Sequence, residues 1–479
     1  MSSAESTIAA PRESEAAVAP VRPSTRLPLA TLTYAALVVV PVLLTLVFLR
    51  GGSGGGAAGP ATGRPAYDPF AGLLIAVPVI LVVCQLSGLV FRRLSQPAVV
   101  GEIFAGILLG PSVLGMLSPQ AFGWLFPARL APALSILAQL GLIFFMFLVG
   151  YELNLHLVRR RSRTAVLVSH ASIALPLLFG TALALAAYPV LAPKGVGYPA
   201  FALFLATSMS VTAFPVLARI LADRRMSGSP LGVTALTCAA IDDVTAWCLL
   251  SLVVALVRGG SPADAAVIGG LTLAFIGGMA LVVRPLLARL LVVRAERHPA
   301  LPDVAILPLL LGGTMLCAMA TNAIGIHPIF GAFLFGAVVP RGSLPIEYAT
   351  DRLHSLTTTL LLPLFFIYTG LRTQIGLLGT DPRLWAWCGL ILVAAIAGKL
   401  LGGMLAARAS GLGWRESASL GVLMNCRGLT ELVVLNVGLD LHVITPTMFT
   451  MLVVMALVTT VLTGPGLRLV ERGRSPAAS

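Results

Sequence analysis

Residues 231–257 read LGVTALTCAAIDDVTAWCLLSLVVALV, and two adjacent carboxylates, Asp242 and Asp243, stand in the middle of that run. About 27 residues of this kind exceed what a bilayer-spanning helix needs. A carboxylate at such depth costs about 3 kcal/mol or more unless it is paired, protonated or lining a watery cavity. A purely structural helix has little reason to carry two of them side by side. The pair therefore reads as the place where protons and small cations are handled.

The rest of the chain fits that reading. Of its 479 residues, 57% are hydrophobic and only 11% charged, the composition of a polytopic membrane protein and not of a soluble globule. The formal charge of +13 could point to nucleic acid, but the arginines fall mostly in short segments between apolar runs, where membrane topology accounts for them. No nucleic-acid partner is expected. Cys84, Cys238, Cys248, Cys317, Cys388 and Cys426 all lie within apolar runs without metal-ligand spacing, so neither a disulfide framework nor a zinc site is indicated.

Residues 1–30 are rich in Ala, Ser, Pro and charge without periodicity and are expected to be disordered. An extra apolar span follows at 31–49, read as a retained helix because its polar leader is long for a signal sequence. The stretch RGGSGGGAAGPATGRP then opens a Gly-rich linker over 50–69. A transmembrane domain over 70–467 is expected to hold 13 spans, near 70–92, 98–116, 131–152, 164–188, 199–221, 229–257, 264–288, 301–322, 326–340, 357–375, 384–408, 415–439 and 446–467. A short tail over 468–479 completes the chain, with no room after the last span for a regulatory module of ~100 residues.

The arginines test this topology independently. With the N-terminus inside, the inside segments hold Arg92 and Arg93, then Arg159, Arg160, Arg161 and Arg163, then Arg224 and Arg225. Arg289, Arg294 and Arg297 follow, then Arg341 and Arg352, Arg408 and Arg415, and finally Arg468, Arg472 and Arg474. The outside segments carry scattered single charges such as Arg129, Lys194, Arg258 and Arg383. This alternation places both termini in the cytoplasm of a cell-membrane protein.

Two spans are interrupted. ATSMSVTAFPVLARIL (206–221) sets Thr207, Ser208, Ser210 and Thr212 ahead of Pro215, which removes a backbone donor and opens the helical ladder. GVLMNCRGLTELVVLNVG (421–438) places Asn425, Arg427, Gly428, Thr430 and Glu431 at mid-depth. They are the fifth and twelfth of the thirteen spans, seven apart, and an odd separation makes them run in opposite directions, as in transporters built from inverted repeats whose site lies where the breaks meet. No residue-level repeat between the halves is evident. The expected fold is thus an all-α polytopic membrane protein of inverted-repeat antiporter type, with two discontinuous helices.

Within the spans the ionisable residues are few: Glu102, Asp242, Asp243, Lys399, Arg427 and Glu431, with Glu152 and Asp303 nearer the ends. Neighbours on a helix point about 100° apart, so Asp242 and Asp243 can serve different partners, one a buried cation and the other an aqueous cavity. Lys399, in VAAIAGKLLGGML, is the best candidate cation. Arg427 and Glu431 stand at i, i+4 and can neutralise each other in a mainly structural pair. Glu102 is ambiguous between a packing acid and a conformational lock, and His327 reads as a helix-end residue. Sodium and potassium take oxygen ligands, which carboxylates, the hydroxyls near the Pro215 break and freed carbonyls can supply. A proton and a metal ion competing for one acid of the pair at a site open to one side at a time give antiport. No phosphate-binding loop of Walker type occurs, which agrees with transport that needs no ATP and no cofactor.

The segments QPAVVGEIFAGILLGPSVLG, LGLIFFMFLVGYELNL, SVTAFPVLARIL, AIDDVTAW, GIHPIFGAFLFGAVVP and LMNCRGLTELVVLNVG resemble, in order, those of the monovalent cation:proton antiporter-2 family. That family includes Kef-type bacterial potassium/proton antiporters and plant cation/proton exchangers. The resemblance spans roughly 70–465 and implies a dimeric elevator-type transporter with a dimerisation domain and a mobile ion-carrying core. It assigns Asp243 as the cation- and proton-binding aspartate and Thr212 and Pro215 as part of the broken helix. It matches Lys399 to a lysine that, in sodium/proton members, pairs with the first acid of an Asp-Asp motif, here Asp242. Plant relatives usually carry Asn-Asp, so Asp242 departs toward the electrogenic type. The extra N-terminal helix and the absent regulatory domain depart from Kef.

Three other readings stand beside antiport, the first still within transport and the other two of a different class. A sodium-coupled symporter of an organic anion needs a roomy substrate pocket. An intramembrane aspartyl protease needs two carboxylates converging from different helices. A sensor with a dead transporter core would not be expected to keep both acids and Lys399.

Overall fold

The computed structural model describes residues 68–94, 96–152, 162–258, 262–293 and 302–471. The expected disorder over 1–30, the extra span at 31–49, nearly all of the Gly-rich linker and most of the tail lie outside the described residues. Among the described residues every regular element is helical.

The helices begin where the sequence supplies caps. Asp68 accepts from the Phe70 N–H ahead of Pro69 and starts α1 (Pro69–Arg93). Asp381 does the same for the Arg383 N–H ahead of Pro382. The other helices of ten or more residues, in chain order, are α2 (Ala98–Leu109), α3 (Ala131–Glu152), α4 (Ser162–Leu191), α5 (Tyr198–Ser210), α6 (Phe214–Asp223), α7 (Pro230–Arg258) and α8 (Pro262–Gly278). Then come α9 (Pro302–Ile324), α10 (Pro328–Val338), α11 (Leu344–Leu356), α12 (Leu362–Arg372), α13 (Pro382–Ala409), α14 (Trp414–Met424), α15 (Leu429–Asp440) and α16 (Pro446–Glu471). Eleven helical stretches among the described residues are long and apolar enough to cross a membrane, one of them α5 and α6 taken together. The pair α14 and α15, bent by 43°, makes a twelfth if counted as one span, and α10 is a shorter apolar helix. Exposed Leu178, Leu185, Leu273, Leu281 and Val393 turn apolar faces outward, as a bilayer solvent requires.

One expected boundary is wrong. The span expected to begin at 357 is helical from Leu344, because α11 runs through a π-helical turn at Thr357–Leu361 into α12. Glu347, Asp351, Arg352 and His354 lower the hydropathy of α11 and hide it from an apolar-run count, yet Ile346, Ala349, Thr350 and Leu353 are buried at helical spacing.

Apart from α8, which touches both α7 and α9, the helices pack into two groups. One is α1, α2, α3, α9, α10, α11 and α12; the other is α4, α5, α6, α7, α13, α14, α15 and α16. Small residues set the close approaches. A Cβ on Gly106 of α2 would stand 2.7 Å from the Phe366 carbonyl oxygen and 2.9 Å from the Gly370 Cα of α12. On the other side, one on Gly398 of α13 would stand 2.9 Å from the Pro176 Cα of α4.

Candidate functional site

The second group carries both interrupted helices, and their breaks meet. Between α5 and α6 the chain is extended over Val211, Thr212 and Ala213, and the Ala213 N–H donates to the Cys426 carbonyl at 3.0 Å. Thr212 Oγ1 lies 3.0 Å from the Met424 carbonyl oxygen at the end of α14. The groups that helix interruption strands are thus shared between the two breaks. Pro215 sits in the first turn of α6, where its missing N–H costs nothing. Thr460 of α16 closes the second break, accepting from the Arg427 N–H at 3.1 Å and donating to the Arg427 carbonyl at 2.7 Å.

Asp242 and Asp243, both on α7, are buried and differently served. The Asp242 carboxylate accepts from Ser169, from Ser172 at 3.1 Å and from Thr212 at 2.8 Å, and Lys399 Nζ of α13 stands 3.1 Å from its Oδ2. Lys399 Nζ also donates to Thr212 Oγ1 at 2.5 Å. The single proton of the Thr212 hydroxyl has two acceptors, Asp242 and the Met424 carbonyl. Asp242, Thr212 and Lys399 form one buried network joining α7, the first break and α13.

Asp243 lacks such an escort. Its carboxylate lies close to Phe214 at the start of α6, and its Oδ1 has no hydrogen-bond partner. A buried carboxylate oxygen without a donor is the arrangement a protein interior avoids unless something else binds there.

Arg427 and Glu431 are also fully buried, with Nη1 and Oε2 3.0 Å apart. The Arg427 guanidinium reaches back to the first break, donating to the Ser208 carbonyl at 2.7 Å and the Met209 carbonyl at 2.5 Å. The guanidinium thus reaches from the second break to supply donors for the two carbonyls at the end of α5. Glu431 Oε1 has no partner.

The remaining expected residues are less directly involved. Ser208 turns its hydroxyl to the Leu205 carbonyl, the Thr207 hydroxyl has no hydrogen-bond partner, and both residues lie in α5, not in the break. Asn425 ends α14, and its Oδ1 also lacks a partner. His327 caps α10 by accepting from the Ile329 N–H, the helix-end role expected of it. Glu102 lies on α2, in the other helix group. Sequence reasoning missed Ser169 and Ser172 of α4. Their signal was an i, i+3 pair of hydroxyls in a membrane-spanning helix, which is legible only once α4 is known to face α7.

The arrangement can hold an oxygen-liganded monovalent cation or a proton. Three carboxylates, Asp242, Asp243 and Glu431, share one buried region with two cations, Lys399 and Arg427, so with ordinary ionisation one negative charge is left over. No group of three or more His, Cys, Asp or Glu side chains that could hold a metal ion occurs among the described residues.

The chain is 43% identical over 400 residues to the Na(+)/H(+) antiporter NhaS4 of Synechocystis sp., covering 82% of this chain and 95% of that protein. It is 37% identical to Cation/H(+) antiporter 20 of Arabidopsis thaliana and 35% identical to K(+)/H(+) antiporter 1 of Saccharomyces cerevisiae. Each of those alignments covers 84% of this chain but 49% and 47% of the plant and yeast proteins, so the chain spans about half their length. The sodium proton antiporter MjNhaP1 from Methanocaldococcus jannaschii shares the fold, with a TM-score of 0.60 at 17% identity over 85% of this chain and 99% of that one. Residues 79–471, with both broken helices and the Asp242–Asp243 pair among them, match the transmembrane domain of sodium/hydrogen exchangers, and the chain belongs to that family.

Proposed function

We propose that the protein is a secondary antiporter that exchanges sodium or potassium for protons, with Asp243 as the shared cation and proton site. The observation that carries this reading is the single uncompensated carboxylate beside the meeting point of two helix breaks. One positive charge restores neutrality there, and a proton or a monovalent cation supplies it equally well. Each must leave for the other to bind, which is the competition that antiport requires. The antiporter names of the relatives agree with it.

Asp242 and Lys399 then act as a fixed pair that holds α7, α13 and the first break together. Arg427 and Glu431 shape the crossing and its field. Thr207, Ser208, Thr212, Pro215 and Asn425 form the surrounding broken-helix shell. In this reading the group of α4, α5, α6, α7, α13, α14, α15 and α16 is the mobile, ion-carrying body. The other group is the dimerisation body of a homodimer in the cell membrane, with both termini cytoplasmic.

The test is proton flux from reconstituted liposomes on adding sodium, potassium or lithium in turn, with the membrane voltage clamped at two values. Wild type should release protons with at least one ion, and Asp243→Asn should abolish the flux while folding normally. Substantial exchange by Asp243→Asn would reject the assignment.

A further inference from the structure

Away from the ion site, a cavity of about 430 Å³ opens where the two helix groups meet at one membrane face. Four guanidinium groups line it: Arg92 at the end of α1, Arg219 and Arg224 on and just after α6, and Arg468 near the end of α16. The single carboxylate among the lining residues, Asp223, already engages Arg219 at 3.2 Å. The lining is therefore formally three charges positive. Like charges gathered in a concave wall repel, and a hollow of this size is in the range of ligand sites. Arg224 is held in place by donating to the Gly464 carbonyl at 2.7 Å, so the wall is a built one.

From this geometry we infer that the cavity binds a phosphate-bearing anion that bridges the two helix groups. Arginine suits phosphate because its planar fork donates two parallel hydrogen bonds. Arg92, Arg224 and Arg468 lie in segments that the positive-inside pattern assigns to the cytoplasm, the face where both acidic lipid headgroups and soluble phosphate esters are found, and Arg219 of α6 lines the same cavity. The headgroup and the soluble ester share the same recognition chemistry.

The position gives the site a consequence. Helix α6 has 10 residues, hence a length of about 15 Å. Phe214 at one end faces Asp243, and Arg219 and Asp223 toward the other end line the cavity. Arg92 belongs to the first helix group, whereas Arg219, Arg224 and Arg468 belong to the second or border it. Gln96 of the cavity wall already reaches across to the Val461 carbonyl at 3.4 Å. An anion held by both sides staples the groups and slows any motion between them. This regulatory half rests on the antiport reading; the binding half does not.

The experiment compares wild type with Arg92→Gln/Arg468→Gln, two exposed positions whose change leaves the core intact, and with Arg289→Gln as an exposed control outside the cavity. Thermal melting of the purified protein is followed on adding phosphatidylglycerol in neutral-lipid micelles and, separately, inorganic pyrophosphate. Wild type and the control should be stabilised by at least one probe, and the double variant should need about tenfold more of it. Response to the lipid alone identifies a headgroup, and response to pyrophosphate alone identifies a soluble ester. No response in wild type, or an equal response in the double variant, overturns the site. Exchange in liposomes with and without the effective probe tests the staple: wild type should slow and the double variant should not. Equal slowing in both, or none in wild type that transports, overturns the regulatory half. A wild type that binds the probe but moves no ion under any condition refutes the antiport reading instead.

Discussion

Replacing Lys399 by methionine removes the cation from Asp242 while keeping nearly the same volume. Both groups are fully buried and 3.1 Å apart. Breaking such a pair from one side costs about 3–5 kcal/mol, because the partner stays charged and buried. Asp242 would retain the hydroxyls of Ser169, Ser172 and Thr212, so the cost should fall at the low end, about 3 kcal/mol or roughly a hundredfold in the folding equilibrium. The opposite change, Asp242→Asn, strands Lys399 with Thr212 as its remaining hydrogen-bond partner, and should cost about 4 kcal/mol or more. The double variant buries no charge there, and its asparagine can still meet the same hydroxyls. It should therefore be destabilised by about 3 kcal/mol less than the sum of the single variants. Equilibrium unfolding of the three variants in mixed detergent–SDS micelles measures this cycle. Additivity within about 0.5 kcal/mol would mean that the two charges do not interact, and the reasoning would fail.

Arg427→Met should be the most damaging single change at the crossing. It strands Glu431 and the Ser208 and Met209 carbonyls together, for about 3–5 kcal/mol, read as lost yield of folded protein; near-normal yield contradicts the assigned contacts. Ser172→Ala removes one donor from Asp242 and should cost about 1.5–3 kcal/mol, with ion selectivity unchanged in the flux assay. Gly106→Val forces α2 away from α12 and should cost about 1–3 kcal/mol or more, so an unchanged melting temperature would argue against that contact. Arg372→Ala breaks a half-exposed contact between the helix groups, 2.6 Å to Asp440 and 3.1 Å to Asn436. Stability should change by less than about 1 kcal/mol, whereas the exchange rate should change measurably.

Much of this was legible without coordinates because a membrane chain has few ways to satisfy its backbone. Apolar runs and arginine alternation marked the spans, and α11 escaped because amphipathic helices do not register as apolar runs. The charges in 231–257 and near Lys399 stood out for the same reason, since ionisable residues in spans are rare. Spacing did not decide which aspartate faces the lysine. The resemblance pointed to Asp242, and the structure sets that pair 3.1 Å apart.

The sequence by itself determined the all-helical membrane architecture, the two interrupted helices and the short roster of buried charges. These follow from local composition, which acts along the chain at the scale of one helix. Only the tertiary structure decided that the two breaks lie against each other, that Ser169 and Ser172 serve Asp242, and that Arg427 caps the end of α5 from 218 residues away. It alone left Asp243 Oδ1 without a donor and gathered four arginines around one cavity. Such facts depend on how helix faces meet, and no single segment encodes the face of its neighbour.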